Sequence, residues 1–306
     1  MIDRARHDFI ELSYVYGAAL LCVVLLSTIA IPAATRSTGL VLPFDKKEER
    51  SSIYDPSAFE NVSVKAKAYV VYDLVDKNVV ASKNADEVLP LASITKVMMG
   101  LTALTHHDRN AKITISPESI EDGYDLGLKK GQVWKLSELL KYTLVFSSND
   151  GAHAIADNLG GRKSFVSQMN TDSTLLGLGL NFTDPAGLDI GDQIGGMGTA
   201  LQAAKLFGVA RATYPELLDA TTKTRVNVVA NKERVTGIPN TNQHIDSLFG
   251  AEASKTGFTD SAGGNLGVVV DVSLGHPVVI IVLGSTRDER FTDMDTLYTA
   301  LVKSLK

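Results

Sequence analysis

Ser254-Lys-Thr-Gly-Phe258, Asn265-Leu-Gly-Val-Val-Val-Asp271 and Pro277-Val-Val-Ile-Ile-Val-Leu283 read as three successive strands, the last two joined by the turn Leu274-Gly-His276. Far upstream, Ala68-Tyr-Val-Val-Tyr-Asp-Leu74 and Asn78-Val-Val-Ala-Ser82, linked by Val75-Asp-Lys77, have the form of a hairpin. Between these ends the apolar period is helical. Val97, Leu101 and Leu104 predict a helix over Ser93 to Leu104, and further helical patterns cover Leu136 to Phe146, Gly151 to Leu159, Ser164 to Leu176 and Thr199 to Ala212. Gly160-Gly161 punctuates the third of these, and a closing helix is expected from about Arg290 to Lys303. Strands first and last with helices between imply an α+β fold. Both ends of the domain would share one mainly antiparallel sheet flanked by helices, with a helical lobe in the middle.

The rest of the chain sets limits on what this domain does. Its 306 residues, 44% of them apolar, allow one large domain and a substantial core. A net charge of -5, without basic stretches interleaved with aromatic residues, gives no expectation of nucleic acid. Leu12 to Thr35 carries no charged side chain and is long enough to cross a hydrocarbon core of ~30 Å. It is a membrane anchor or a long signal peptide. Its length exceeds an ordinary cleavable h-region and Pro32 spoils the small-residue site around Ala30 to Ala34, so a retained anchor is expected. Flanking charge does not fix its orientation, because a long following domain translocates largely regardless of it. The expected layout is a cytoplasmic N-terminus over 1–11, the anchor or signal segment over 12–35, a polar linker over 36–60, and a catalytic domain over 61–306 outside the cytoplasm. The lone cysteine, Cys22, lies in the apolar segment, so the remainder has no disulfide to rely on.

Three short words carry the chemistry: Ser93-Ile-Thr-Lys96, Ser147-Ser-Asn149 and Lys255-Thr-Gly257. Ser93 and Lys96 are three apart, which on a helix brings both side chains to one face. A serine hydroxyl needs a neighbouring base, and a lysine serves only if burial or a second cation lowers its pKa; Lys255 is the candidate second cation. Ser147 and Asn149 end a helical run, where a hydroxyl can relay a proton and an amide can hold Lys96 or a substrate carbonyl. Lys255, Thr256 and Gly257 fall on a strand whose glycine admits a ligand backbone and whose Lys and Thr suit a carboxylate. Taken singly, each word has an ordinary alternative: a surface Ser–Lys pair, a helix cap, a turn. Their joint occurrence, with one S-x-x-K and one K-T-G in the sequence, favours an acyl-transferring serine hydrolase. No H-E-x-x-H pair, G-x-S-x-G elbow or Gly-rich phosphate loop occurs, and no metal or organic cofactor is expected.

From about Ala66 onward the chain resembles the D-alanyl-D-alanine carboxypeptidases among the low-molecular-mass penicillin-binding proteins, of the β-lactamase/DD-peptidase superfamily. Similar stretches are Leu89 to Lys96, Leu139-Leu140 leading to Asp150, Phe165 to Asn170, Leu176-Gly177, Phe182-Thr-Asp-Pro-Ala-Gly-Leu188, Thr241-Asn242 and Gly257 to Gly263. The resemblance implies Ser93 as acylated nucleophile, Lys96 as its base, and Ser147 with Asn149 as a second catalytic wall. It implies Lys255 and Thr256 as binders of a terminal D-Ala carboxylate, and the backbone N–H groups of Ser93 and Phe258 as an oxyanion hole. The partners implied are a peptidoglycan stem peptide ending in D-Ala-D-Ala and β-lactams as covalent inhibitors. Three positions depart from the family pattern: Ser148 for Gly, Gly151 for Ala, and Gln202 where Asp is usual. Two rivals remain open. A β-lactamase would need a glutamate-activated water, which Glu216-Leu-Leu-Asp219 approaches without the customary Asn. A non-catalytic, membrane-tethered binder of wall peptides would have no use for a nucleophile.

Overall fold

A computed structural model describes residues 53–120 and 128–306. The expected anchor over 12–35 and most of the linker lie outside the described residues. Among those described, no helix is long and apolar enough to cross a membrane.

The described chain begins with the hairpin β1 (Ala68–Asp73) and β2 (Asn78–Lys83), then a short β3 (Leu89–Pro90) and the buried helix α1 (Thr95–His106). Strands β4 (Lys112–Thr114) and β5 (Val133–Lys135) precede three helices, α2 (Leu136–Phe146), α3 (Asn149–Asn158) and α4 (Arg162–Leu175). Next come β6 (Asn181–Phe182), β7 (Gly196–Gly198), α5 (Ala200–Thr213) and α6 (Pro215–Asp219). A hairpin of β8 (Arg225–Ala230) and β9 (Glu233–Pro239) leads to β10 (Ala251–Thr259), β11 (Gly263–Asp271), β12 (Pro277–Ser285) and the closing helix α7 (Glu289–Ser304).

The main sheet has the order β10-β11-β12-β1-β2, antiparallel throughout, so the two ends of the domain do meet in one sheet. The near-continuous apolar runs of β1, β11 and β12 follow from burial on both faces, whereas the edge strand β2 is largely exposed. Alternation along each strand divides the side chains between two cores. Val70, Val269, Val279 and Ile281 join the helical lobe, whereas Tyr69, Val71, Val268, Val270 and Ile280 pack with Phe291, Met294, Leu297 and Leu301 of α7.

Three features differ from the sequence-based expectation. The polar linker was expected to reach residue 60, but the chain is docked from Tyr54 onward. Tyr54 bridges to Leu305, Asp55 N donates to the Ser304 carbonyl at 2.6 Å, and Asp55 caps a helical turn at Pro56–Phe59. The apolar side chains of Tyr54, Phe59 and Val62, scattered among polar neighbours, have no period yet pack into the α7 core. Second, the sequence from 213 to 253 holds a hairpin that completes a four-stranded sheet, β4-β5-β8-β9. Strict alternation of buried Val226, Val228 and Ala230 with exposed residues, and a two-residue turn at Asn231 and Lys232 with φ of 48° and 66°, are its signature. Third, Ser93 precedes α1, in a 3-10 turn over Ala92–Ile94.

Candidate active site

Four segments converge on Ser93. The first is its own turn, entered through Ala92 at φ 48°, a left-handed conformation that L residues with a Cβ adopt at a cost. Tertiary contact enforces it. The loop of Asp184 to Gly187 lies so close that a Cβ on Gly187, itself at φ 76°, would sit 2.0 Å from the Ala92 carbonyl oxygen. At the second position of the helix Lys96 is fully buried, and its Nζ lies 2.7 Å from Ser93 Oγ, 2.8 Å from Asn149 Oδ1 and 2.8 Å from the Ala186 carbonyl.

The second segment is the junction of α2 and α3. Ser147 ends α2 in the left-handed region (φ 65°, ψ 32°), which reverses the chain, and Ser148 caps α3 by accepting from Gly151 N at 2.7 Å. The family departures are explained here as a pair. A Cβ on Gly151 would lie 2.3 Å from Thr143 Oγ1 and 2.8 Å from Ser148 Oγ, so Thr143 first and the capping hydroxyl at 148 second favour glycine at 151. Gln202 also has a local role: it forms a capping box with Thr199 at the start of α5.

The third segment is β10. Lys255, 1% exposed, donates to Ser147 Oγ at 2.8 Å and to the Thr256 carbonyl at 2.9 Å. Burial, then the charges of Lys96 and Arg290, push its pKa well below the usual lysine value. Thr256 Oγ1 shares a 2.6 Å hydrogen bond with Thr241 Oγ1. Gly257 runs against the Ser93 turn, where a Cβ would meet Leu91 O at 3.0 Å and Ser93 N at 3.2 Å. Glycine thus lets the strand close on the backbone N–H of Ser93. Phe258 is partly exposed at the rim, with Arg287 stacked 5.2 Å above its ring.

The fourth segment is Asp184 to Ala186. Burial raises the Asp184 pKa, but the His153 hydrogen bond at 2.9 Å, the His153 charge and the N–H groups of Leu188 and Ala186 outweigh it, leaving the carboxyl lowered. Asp184 therefore pins the loop whose carbonyl receives Lys96. His153, fully buried on α3, belongs to this support. Asp184, Ala186, Thr241 and Arg290 had no role in the sequence reading, although Phe182 to Leu188 and Thr241-Asn242 stood among its similar stretches. Arg290, on the first turn of α7, donates to the Gly257 carbonyl at 2.7 Å; burial first and Arg287 second lower its pKa to about 10.

The structure thus brings Ser93, Lys96, Ser147, Asn149, Lys255, Thr256, Gly257 and Phe258 to one place, although 53 residues separate Lys96 from Asn149 and 108 separate Ser147 from Lys255. Glu216 is elsewhere: half exposed on α6, it pairs with Arg109 at 3.6 Å.

A Ser–Lys pair at the start of a buried helix, set against the edge strand of such a sheet, defines a penicillin-binding, DD-peptidase type of serine hydrolase. Residues 55–287 match the family model described as D-alanyl-D-alanine carboxypeptidase, Peptidase S11, and the chain belongs to that family; it is a hydrolytic serine peptidase acting on D-Ala-D-Ala. It is 31% identical over 211 residues to a D-alanyl-D-alanine endopeptidase of Haemophilus influenzae, covering 66% of this chain and 69% of the relative. It is 30% identical over 200 residues to the D-alanyl-D-alanine carboxypeptidase DacB2 of Mycobacterium tuberculosis, covering 64% and 67%. The ampicillin-bound form of penicillin-binding protein D2 from Listeria monocytogenes matches with a TM-score of 0.70 and 27% identity, over 79% of this chain and 99% of that one.

Proposed function

We propose that Ser93 is the nucleophile of a membrane-tethered carboxypeptidase that removes the terminal D-Ala from peptidoglycan stem peptides. The observation that supports this most is the environment of Lys96 Nζ. Among its neighbours, Asn149 Oδ1 and the Ala186 carbonyl are pure acceptors. As a neutral amine, Lys96 donates its two N–H groups to them, and its lone pair is left facing the Ser93 hydroxyl.

Ser93 Oγ attacks the carbonyl carbon of the penultimate D-Ala as its proton passes to Lys96. The carbonyl oxygen becomes an oxyanion held by the backbone N–H groups of Ser93 and Phe258. The C–N bond then breaks, the leaving amine of the terminal D-Ala takes a proton through Ser147, and a Ser93 ester remains. Water hydrolyses that ester and restores the hydroxyl. Lys255 and Thr256 hold the terminal carboxylate by charge-assisted hydrogen bonds, and the extended peptide lies along β10. The scheme calls on no cofactor. β-Lactams, with a strained amide and a carboxylate in comparable places, acylate the same serine.

Incubation with a peptide ending in D-Ala-D-Ala, and separately with a fluorescent penicillin, tests this reading. Free D-Ala should appear, a penicillin adduct should form at Ser93 and hydrolyse slowly, and both should vanish in Ser93→Ala. Rapid penicillin hydrolysis without D-Ala release would instead assign a β-lactamase, and no adduct a binder. The polypeptide over 12–35 is the proposed anchor, with the domain outside the cytoplasm; membrane pelleting that resists carbonate, with the N-terminus intact by mass, is the expected result.

A further inference from the structure

We propose that the end of the main sheet where the chain enters the domain is a membrane-docking face, seated on the lipid surface that holds the anchor. The proposal rests on the anchored reading above. Three loops meet at this end: the β1–β2 turn at 74–77, the β11–β12 turn at 272–276, and the approach to β10 at 248–250, tied to the second by the hydrogen bond from Asp271 N to Gly250 O at 2.8 Å. Each presents a large apolar side chain to solvent. Leu274 is fully exposed, Phe249 81% and Val75 46%. A groove of about 590 Å³ continues this surface from Val75 to Leu176 beside the end of α4, where Leu175 is 79% exposed. Lys77 and Lys205 line that groove.

Exposed apolar side chains gathered on one end, with lysines beside them, have the composition of an interfacial membrane contact. Lipid is favoured over other occupants by where the polypeptide outside the described residues joins the domain. Tyr54 lies edge-on to His276 of the β11–β12 turn, with ring centroids 6.2 Å apart, and donates to Asp73 at the end of β1 at 2.7 Å. The described chain therefore begins beside the apolar loops, and the 52 residues before Ile53, among them the uncharged run from Leu12 to Thr35, join the domain at that point of the sequence. Lys303 and Lys306 stand exposed at the same point, where Lys306 N donates to Ile53 O at 3.0 Å. Of the carboxylates there, Asp271 is occupied by three backbone N–H groups of its own turn, Asp55 caps its own turn beside Lys306, and Asp76 is exposed beside Lys77. The active site lies toward the other end of β10. Seven residues separate Gly250 from Gly257, about 23 Å of strand, so a domain seated on this face would hold its cleft toward the wall.

The test uses the full chain with Cys22→Ser and one new cysteine, Leu274→Cys or, at the opposite end of the sheet, Ser261→Cys, each labelled with an environment-sensitive fluorophore. The protein is reconstituted into phosphatidylglycerol–phosphatidylcholine vesicles with and without spin-labelled lipid. Blue-shifted emission quenched by the spin label at 274 but not at 261, and lost when Val75→Asp and Phe249→Asp are added, is the expected result. Protein that washes from the vesicles in carbonate overturns the anchor and the docking with it. Protein that resists carbonate while its 274 probe stays in water overturns docking alone. Cross-linking between copies through position 274 without lipid quenching assigns the face to a second copy and likewise overturns the proposal.

Discussion

At Lys96 the proposed role depends on a proton, so charge and basicity can be separated. Lys96→Arg keeps the positive charge but has no accessible neutral form. The variant should fold, retain β-lactam recognition through Lys255, and show no acylation of Ser93 by fluorescent penicillin; near-normal labelling would contradict the assignment. Lys255 gives a pH test. Its lowered pKa means that, between that value and the ordinary 10.5, the folded protein holds this lysine neutral while the unfolded chain protonates it. The folded state then binds fewer protons, so this group's share of stability rises with pH across that window. Carboxylate binding has the opposite sign, because a bound anion favours the charged form. Acylation by penicillin should therefore fall with rising pH before the ordinary lysine range is reached. Lys255→Arg, with a guanidinium that stays charged, should shift that fall upward even at a reduced rate, and an unshifted fall would locate the titration in another group.

The α2–α3 junction shows how an element is set by side chains from several positions at once. Gly151→Ala places a methyl against Thr143 Oγ1 and Ser148 Oγ and should destabilise by about 1–3 kcal/mol as an overpacked site. Adding Thr143→Ala vacates the nearest atom and should recover most of the loss. Thermal melts of the single and double variants measure it, and a neutral Gly151→Ala would refute the steric account. Such couplings explain what the sequence made legible. The strands β1, β11 and β12 were readable because burial on both faces demands near-unbroken apolar runs, whereas the edge strands β2 and β10 were found through the turn after β1 and the Lys-Thr-Gly word. Of the eight candidate site residues that the structure brings together, Ser93, Lys96, Ser147, Asn149, Lys255, Thr256 and Gly257 were legible as particular residue types at short spacings, and Phe258 only through the backbone beside them. Less visible was everything set by distant contact: the left-handed Ala92 imposed by the loop at Gly187, the carbonyl of Ala186 as a partner of Lys96, and Arg290 reaching Gly257 across 33 residues. A carbonyl has no signature in a residue code. The β8–β9 hairpin did carry one, in the period of Val226, Val228 and Ala230, and went unread between the better-marked segments on either side.

At the scale of the described domain, closure depends on joining its first strand to its last. β1 pairs with β12 from Ala68↔Leu283 to Asp73↔Val278, across some two hundred residues of sequence, and the strap ahead of β1 is fastened at the Asp73 end of this pair. The fastening is a polar knot. Asp73, fully buried, accepts from Tyr54 Oη at 2.7 Å and from the backbone of Val75 and Asp76, and lies 2.6 Å from His276 Nε2. Asp76, Asp73 and His276 also stand close enough to share a cation, but the Asp73 oxygens already have protein partners. Burial raises the Asp73 pKa; the hydrogen bonds from His276, Asp76 N, Tyr54 and Val75 N overcome it, and the net shift is downward. A depressed carboxylate contributes stability that is present above its unfolded value of 3.8 and is lost as pH falls through the folded value. Asp73→Asn should thus flatten the acid limb of unfolding below that range. Tyr54→Phe separates strap from core: it removes one hydrogen bond to a charged acceptor, a loss of about 1.5–3 kcal/mol, while leaving the ring against His276. Because the strap lies outside the catalytic cleft, the variant should release D-Ala at the normal rate yet be cut faster by chymotrypsin after Phe59. Cleavage no faster than in the parent would show that the apolar contacts of Phe59 and Val62 alone hold the strap, and that the buried hydroxyl is incidental to it.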